Sequence, residues 1–391
     1  FTSQKLANIQ MIKNVVNIAI SFGIKSEKIV FKINSIELCV GIVGVLCLAE
    51  LCRRSVGLPI LIVAGVLLLY ALIWGSTNPN IIARITEYVR VLFYSKEGIL
   101  STPVNVCSKY IAMFIIFGAF LERTGIADFF INISNALVGR FSGGPAKVAV
   151  IASALEGMVS GSSVANTVGS GAVTIPLMKR TGYKPEFAAA AEASASTGGQ
   201  IMPPIMGAAA FLMSEITETP YSTIAITAIL PAVLYFTGIF MMIHFEAKKL
   251  GLKGLPKDAI PNFFKLIIKN GYLLLPIVVL VIAMNYFSAG LSACFAILGS
   301  LIVSLVPNKI SKETAWRFVL PVIPVATLLG LWIPFGPSNM STAILISMVV
   351  CVALSFLTKD TATLTPSVVV QSLENGAKNT VGVAVACGMA G

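Results

Sequence analysis

Charged residues and histidine are scarce in this sequence, and their scarcity excludes several classes of protein. Only 12% of the 391 residues are charged and 56% are hydrophobic, with a mean hydropathy of +0.89, whereas soluble domains carry about 25% charged residues. The single histidine, His244, argues against metal or histidine-based catalysis, and the lack of a GxxxxGK(S/T) run excludes ATP hydrolysis through a P-loop. The composition therefore predicts an all-α polytopic membrane protein, because lipid offers an open chain no hydrogen-bond partners outside a helix.

Long apolar runs supply the predicted spans, since a bilayer-crossing helix requires roughly 20 mostly apolar residues. Two of these runs are too long for one helix, and polar or glycine-containing segments at 285–290 and 336–339 divide them. The predicted spans are one in Gly57–Gly75, one in 219–245, two in 270–307, two in 318–358, and weaker ones in 34–52 and 108–122.

Basic residues predict the orientation of the spans, because lysine and arginine accumulate in cytoplasmic loops. The net charge is +11, and six lysines lie between positions 246 and 269. On a membrane protein this excess marks cytoplasmic loops and does not indicate nucleic-acid binding. The segments 215–219 and 287–289 carry no basic residue. One arrangement of the spans across the membrane places the basic loops on the cytoplasmic side and the uncharged ones on the outer side. It requires that the stretch 147–184 enter and leave the membrane on the cytoplasmic side.

Residues 157–178, GMVSGSSVANTVGSGAVTIPLM, have the length of a span but the wrong chemistry for one that faces lipid. They include four glycines, four serines, two threonines and Asn166, and each polar group without a partner in lipid costs a few kcal/mol, roughly. The cluster Ser160–Ser163 is expected to break the helix, and Pro176 to interrupt the return. We predict that residues 146–181 form a re-entrant helical hairpin; the alternative is one helix that packs through small residues.

A second interrupted segment follows at 185–214, PEFAAAAEASASTGGQIMPPIMGAAAFLMS. The glycines after Thr197 and the Pro203-Pro204 pair should break this helix halfway, which frees carbonyls and exposes helix ends. Two interrupted segments in succession are the best sequence indication of a transport site at the membrane midplane. A proline kink packed against neighbouring helices is the alternative.

Glu156 and Glu192 are the only acids deep in this region. An intramembrane carboxylate is typical of a proton carrier or a cation ligand. The alternative places each carboxyl near the interface or pairs it with Lys147 or Lys184.

The same residues resemble the large permease subunit of TRAP transporters (tripartite ATP-independent periplasmic transporters). The resemblance covers most of 38–391 and is carried by SGSSVAN at the predicted hairpin tip, by IPLMKRTGY, by STGGQIMPPIMGAAAF and by GAFLERTG at 118–125. Asn166 and the run LGLKGLP at 250–256 are similar to the TAXI subfamily.

The resemblance implies an elevator-type transporter with two inverted repeats, each with one re-entrant hairpin and one broken helix. Residues 1–106 would correspond to a fused small subunit, 107–260 to the first repeat and 261–378 to further transmembrane helices. Residues 379–391 would begin a truncated second repeat, so that the chain holds half of a transport site.

The function implied by the resemblance is import of organic acids, such as dicarboxylates or acidic amino acids, across a bacterial or archaeal cytoplasmic (inner) membrane. A TAXI-type extracytoplasmic solute-binding protein would deliver the substrate, and a gradient of Na⁺ or H⁺, with no other cofactor, would drive uptake. Carbonyl and hydroxyl oxygens suit a hard cation. The implied cation ligands are Ser160, Gly161, Ser162, Ser163, Asn166, Thr197, Gly198 and Gly199, and the implied substrate contacts are Asn166, Gln200, Pro203 and Pro204.

Two other classes of protein stay open at this point. One is an intramembrane enzyme that uses Glu156, Glu192 or Ser162, although such an enzyme needs a nucleophile with a base or a metal cluster, and the sequence has no HExxH. The other is a channel or a structural membrane subunit.

Overall fold

Helices make up the regular secondary structure of the protein in the part of the chain that the computed structural model describes, which is residues 34–75, 80–256, 260–306, 319–335, 339–356 and 364–391. These residues divide into two compact units, one up to Ser108 with Val381–Gly391 and one of Lys109–Thr380.

The first unit begins with three helices, α1 (Ser35–Ser55), α2 (Leu58–Trp74) and α3 (Ile81–Tyr94). Glu37 caps the start of α1 by accepting a hydrogen bond from the Asn34 amide at 2.8 Å. Every residue of α2 is at least partly exposed and nearly all are apolar, which is the pattern of a helix surrounded by lipid.

Most of the helices that follow are short, because glycine, proline and serine interrupt the apolar runs at close intervals. Thr102–Val106 (α4) continues through a π-helical turn, Cys107–Ile111, into Ala112–Glu122 (α5). The next seven are Ile126–Val138 (α6), Gly144–Ser160 (α7), Ser163–Gly169 (α8), Gly171–Arg180 (α9), Pro185–Gly198 (α10), Ala208–Ile216 (α11) and Tyr221–Lys249 (α12).

The remaining helices confirm one of the two predicted divisions of the long apolar runs. The elements are Phe263–Asn270 (α13), Leu275–Ala283 (α14), Ala289–Ser304 (α15), Val322–Phe335 (α16), Met340–Ser355 (α17) and Pro366–Ala390 (α18). The break between α14 and α15 falls in the predicted segment 285–290, whereas most of the other predicted division, 336–339, lies outside the described residues. The predicted boundary at residue 378 lies inside the continuous helix α18.

Four continuous helical stretches among the described residues are long and apolar enough to cross a membrane. They are Ser35–Ser55, Thr102–Glu122, Tyr221–Lys249 and Phe263–Ala283. The predicted span at Gly57–Gly75 is the apolar 17-residue helix α2. Together with the all-helical fold, these stretches define a polytopic membrane protein.

Alanine allows α7, α10 and α12 to pack closely in the second unit. Ala188, Ala191 and Ala195 repeat at helical spacing along α10 and are buried, as are Ala146 and Ala149 of α7. The larger side chains in this core come mostly from α12, whose buried residues there are Phe236, Ile239, Ile243 and Ala247. This small-residue core brings the polar faces of α7 and α10 against each other.

Candidate functional site

The chain reverses direction at the predicted tip, between α7 and α8. Helix α7 ends at Ser160, and Gly161 has a left-handed backbone with φ +59° that favours glycine. Ser162 then caps α8 by accepting a hydrogen bond from the Ala165 amide at 3.3 Å. The helix break at Ser160–Ser163 therefore lies where the glycine and serine cluster predicts it.

The two arms on either side of this turn pack against each other. The buried Asn166 donates from Nδ2 to the Ser153 carbonyl across the arms at 2.8 Å. The Ser153 and Ser170 hydroxyl oxygens lie 3.2 Å apart. The alternative of one continuous helix over residues 146–181 is therefore wrong.

Pro176 does not interrupt the return arm, contrary to the sequence-based expectation. It lies inside α9, and the change from α8 to α9 comes earlier, at Ser170. A proline removes only one backbone donor, and the Thr174 amide still donates to the Ser170 carbonyl at 2.9 Å.

The second predicted interruption is also present. Helix α10 ends at Gly198, Gly199–Ile201 forms one 3₁₀ turn, and α11 begins at Ala208. Two of the carbonyls freed by this break, those of Pro204 and Ile205, share the single hydrogen of the buried Tyr221 hydroxyl of α12. The Tyr221 hydroxyl therefore supplies a hydrogen-bond donor to backbone that the break leaves without helical partners.

The two interruptions meet backbone to backbone. A Cβ built on Gly157 would lie 2.3 Å from the Gly199 Cα, and one built on Gly199 would lie 2.6 Å from the Gly157 Cα. The Ile205 amide also donates to the Met158 carbonyl at 3.3 Å. Only glycine permits this approach, so the first arm of the hairpin and the break in the next helix form one structure.

A fully buried carboxylate lies beside this contact. Glu192 of α10 has no exposed surface. Its Oε1 accepts hydrogen bonds from Ser170 at 2.5 Å, Ser153 at 2.7 Å and Ser196 at 3.3 Å, and its Oε2 accepts one from Thr174 at 2.7 Å. The hydroxyls come from the hairpin arms and from α10 itself, so the carboxylate ties the hairpin to the broken helix.

The alternative ion pairs with Lys147 or Lys184 are not formed. Among the described residues, no ion pair includes Glu156 or Glu192. Lys147 Nζ instead lies 2.9 Å from His244 Nδ1, and Lys184 is exposed at the start of α10. Glu156 is half-buried, and its Oε1 is buried without a hydrogen-bond partner.

The structure brings some of the predicted ligands together and separates others. Asn166 Nδ2 lies 3.5 Å from the Cβ position of Gly199, and Gln200 Nε2 donates to the Ser163 hydroxyl at 3.1 Å. Ser160, Gly161 and Ser162 form the turn itself. Thr197 and Gly198 face elsewhere: the exposed Thr197 donates to the Ala193 carbonyl, and Gly198 packs on Tyr235 and Phe236.

The predicted substrate contacts Pro203 and Pro204 line an apolar groove of about 430 Å³ that they share mainly with residues of α12. Gln200 lines a second groove, of about 490 Å³, between α11 and α12. Asn166 is buried inside the hairpin and lines neither groove. The described part of the chain contains no group of three or more His, Cys, Asp or Glu side chains suited to a transition metal.

The hydroxyls around Glu192 were missed by sequence reasoning, as was Gly157. A signal was present, because Ser170 and Thr174, like Glu192 and Ser196, are four residues apart and share a helix face. Nothing in the sequence shows that these faces meet.

Tyr221→Phe is expected to destabilise the broken helix. The substitution leaves the carbonyls of Pro204 and Ile205 without their hydroxyl donor, and a buried acceptor left unsatisfied costs about 1–3 kcal/mol. Thermal unfolding of the detergent-solubilised protein should show a lower midpoint. Tyr286→Phe, at a ring that is 79% exposed, should leave the midpoint unchanged; equal midpoints for both variants would contradict the assigned role of Tyr221.

Interrupted helices that meet inside an apolar helical protein are typical of secondary transporters. Residues 43–320, more than half of the chain, match the family described as the DctM component of the tripartite ATP-independent periplasmic transporters. The chain therefore belongs to this family of TRAP transporter large permeases.

Similar proteins include two C4-dicarboxylate TRAP transporter large permease proteins. The one from Pseudomonas aeruginosa is 29% identical over 43% of this chain and 40% of its own length, and the one from Vibrio cholerae is 29% identical over 52% and 41%. The sialic acid TRAP transporter large permease protein of Vibrio cholerae is 27% identical over 44% of this chain and 40% of its own length. The chain thus spans about two fifths of these relatives, which are named as permeases and not as enzymes.

Proposed function

We propose that this protein is the membrane permease of a TRAP system of the TAXI type, with a fused small subunit, in a bacterial or archaeal cytoplasmic membrane. It takes an organic acid from an extracytoplasmic solute-binding protein and imports it at the expense of a Na⁺ or H⁺ gradient, without ATP. Family membership supports the permease role. The names of the relatives support an acidic substrate, since C4-dicarboxylates and sialic acid are carboxylic acids.

The contact between Gly157 and Gly199 carries this proposal. It places the break of one helix against the arm of a hairpin, with Asn166 beside it and apolar helices around it. Polar, non-helical backbone is stable at membrane depth only when it is buried in protein or lines a cavity. Our proposal is that the hairpin re-enters the membrane and that this contact moves with the substrate as one rigid, elevator-like element.

The proposed cation site lies at the hairpin tip, with Ser163, Asn166 and Gly199 as its centre. The exposed Gln200 lies at the edge of this site, where it donates a hydrogen bond to Ser163. Its proposed role is to contact a carboxylate of the substrate. Half-helix ends support both roles, because N-terminal ends attract anions and unwound carbonyls attract cations.

Reconstituted transport tests the proposal. The permease in its full natural length is placed in proteoliposomes, and the solute-binding protein is first screened by thermal shift against dicarboxylates, acidic amino acids and sialic acid. Uptake of the acid that binds should require both the binding protein and an inward Na⁺ or H⁺ gradient. Uptake that persists without either one would contradict the proposal, and single-channel currents would indicate a channel instead.

A further inference from the structure

We infer that the start of α7 and the end of α12 form a binding site for one anionic phospholipid, whose phosphate contacts Arg140, His244 and Lys248. The site lies at the first turn of α7, whereas the proposed cation site follows the last turn of that helix. Occupation of this lipid site does not depend on the proposed function.

Lys147, in the first turn of α7, is a buried cation without a carboxylate partner. The residue is 2% exposed, and no ion pair includes it among the residues that the structure describes. Its Nζ lies 5.1 Å from the centre of the Phe240 ring and 5.7 Å from that of Phe141, and the faces of such rings attract an ammonium group. A buried charge without a counter-ion is costly, so an anion bound nearby would stabilise this arrangement.

Lys147 determines which hydrogen atom His244 presents to a ligand. An ammonium group only donates hydrogen bonds, so Lys147 Nζ donates to His244 Nδ1, which lies 2.9 Å away. The hydrogen of the neutral imidazole is therefore on Nε2. His244 is partly exposed, and its Nε2 has no hydrogen-bond partner in the part of the chain that the structure describes. Nε2 is thus available as a donor to an anion.

Two exposed cations lie beside this pair. Lys248 follows His244 by one turn of α12, and its charge acts on both Lys147 and His244. The guanidinium carbon of Arg140 lies 5.0 Å from the centre of the Phe141 ring, which Lys147 also faces. Neither exposed cation belongs to an ion pair among the described residues. The cluster is therefore complementary to a phosphate group, which accepts charge-assisted hydrogen bonds.

The exposed surface next to these cations is apolar, which favours a lipid over a free phosphate. Met241, His244, Phe245 and Lys248 are spaced three and four residues apart and therefore share one face of α12. Met241 is 42% exposed, Phe245 60% and Phe141 45%. A lipid whose phosphate lies at His244 and Lys248 can place its acyl chains along Phe245 and Met241, farther from the end of the helix.

The predicted orientation places this site in the cytoplasmic leaflet, because α12 leads into the lysine-rich segment 246–269. That leaflet carries anionic lipids, and basic pockets between membrane helices on this side bind their headgroups. Glu246, in the last turn of α12, lies 3.9 Å from Lys249. Its carboxylate therefore does not take the place of the phosphate at Lys248.

Lipid binding to the delipidated permease, in its full natural length and in detergent, tests the site. Native mass spectrometry should show one tightly held phosphatidylglycerol per protein, and phosphatidylcholine with the same acyl chains should bind about tenfold more weakly or less, because its headgroup has no net charge. Phosphatidylglycerol should also raise the midpoint of thermal unfolding, whereas inorganic phosphate and glycerol phosphate should not. Equal affinity for the two lipids, or equal stabilisation by a free phosphate, would overturn the assignment of an anionic lipid.

Arg140→Gln combined with Lys248→Gln tests the residues of the site. Both side chains are exposed, so this double variant should keep the wild-type midpoint of unfolding in the absence of lipid. Its affinity for phosphatidylglycerol should fall by about 25-fold, since each cation contributes roughly fivefold to the attraction of an anionic headgroup.

The matched control is Lys265→Gln combined with Lys269→Gln, which removes two charges from exposed side chains of α13. This control should bind phosphatidylglycerol as the wild type does. Equal weakening in the two double variants would indicate a general attraction of lipid to basic surface and would overturn the site. Wild-type affinity in the Arg140 and Lys248 double variant would overturn it as well.

Discussion

Gly157→Ala is expected to abolish uptake and to destabilise the protein, although it adds only a methyl group. That methyl carbon would lie 2.3 Å from the Gly199 Cα, and neither backbone can relieve the overlap by changing a rotamer. Overpacking of this kind costs about 1–3 kcal/mol, and more where backbone must shift. Because the hairpin and the broken helix would separate, Asn166 would lose its position beside Gly199. Uptake in proteoliposomes and the midpoint of thermal unfolding are the two measurements.

A matched glycine is available in the same unit. Gly238 lies within α12, and a Cβ built on it meets no atom within 4 Å. Gly238→Ala should therefore leave uptake unchanged and raise helix stability by up to about 1 kcal/mol. Gly199→Leu should behave like Gly157→Ala, since the overlap is reciprocal. Normal uptake by Gly157→Ala would show that the close contact is dispensable for transport.

Asn166→Ala and Ser162→Ala are expected to abolish uptake while the protein still inserts in the membrane. Asn166 donates its buried Nδ2 to the Ser153 carbonyl, and Ser162 caps the helix that carries Asn166. Each loss leaves buried or helix-end groups unsatisfied, at about 1–3 kcal/mol for the buried acceptor and about 1 kcal/mol for the cap.

Thr167→Val is the control that distinguishes the loss of uptake in Asn166→Ala and Ser162→Ala from general damage to the hairpin. Thr167 lies next to Asn166 in α8, but its hydroxyl donates only to the Ser163 carbonyl of its own helix at 2.8 Å. Uptake by Thr167→Val should stay close to that of the wild type. The amount of each variant in the membrane is compared by immunoblot, and half-maximal uptake is measured against Na⁺ concentration and against pH. Wild-type uptake by both Asn166→Ala and Ser162→Ala would remove the hairpin tip from the mechanism.

Local chemistry accounts for the features that sequence predicted well. Gly161 and Ser162 break the helix because of their own backbone and capping preferences, and the division at 285–290 contains asparagine, serine and glycine. Pro176 was misjudged because a proline in an otherwise helical run removes one donor without ending the helix. Whether Glu156 and Glu192 form ion pairs also depends on residues from other segments, which no local sequence pattern identifies.

The partners of Glu192 show where prediction stopped. Its hydroxyl donors belong to three helices, α7, α9 and α10, together with Ser170 at the junction of α8 and α9. Each of these serines and threonines has an ordinary helical role when its own segment is considered alone. Their convergence depends on the alanine faces of α7 and α10, which set how closely and at what rotation those helices pack.

The amino-acid order alone determined that this protein is helical, membrane-embedded and interrupted in two successive segments, because these properties follow from hydropathy and from glycine, serine and proline along the chain. Tertiary structure alone decided that Gly157 meets Gly199 and that four hydroxyls surround Glu192. Apart from Ser196, which is four positions from Glu192 in the same helix, these contacts join residues 18 to 42 positions apart, and their distances depend on side-chain packing between helices rather than on preferences within one.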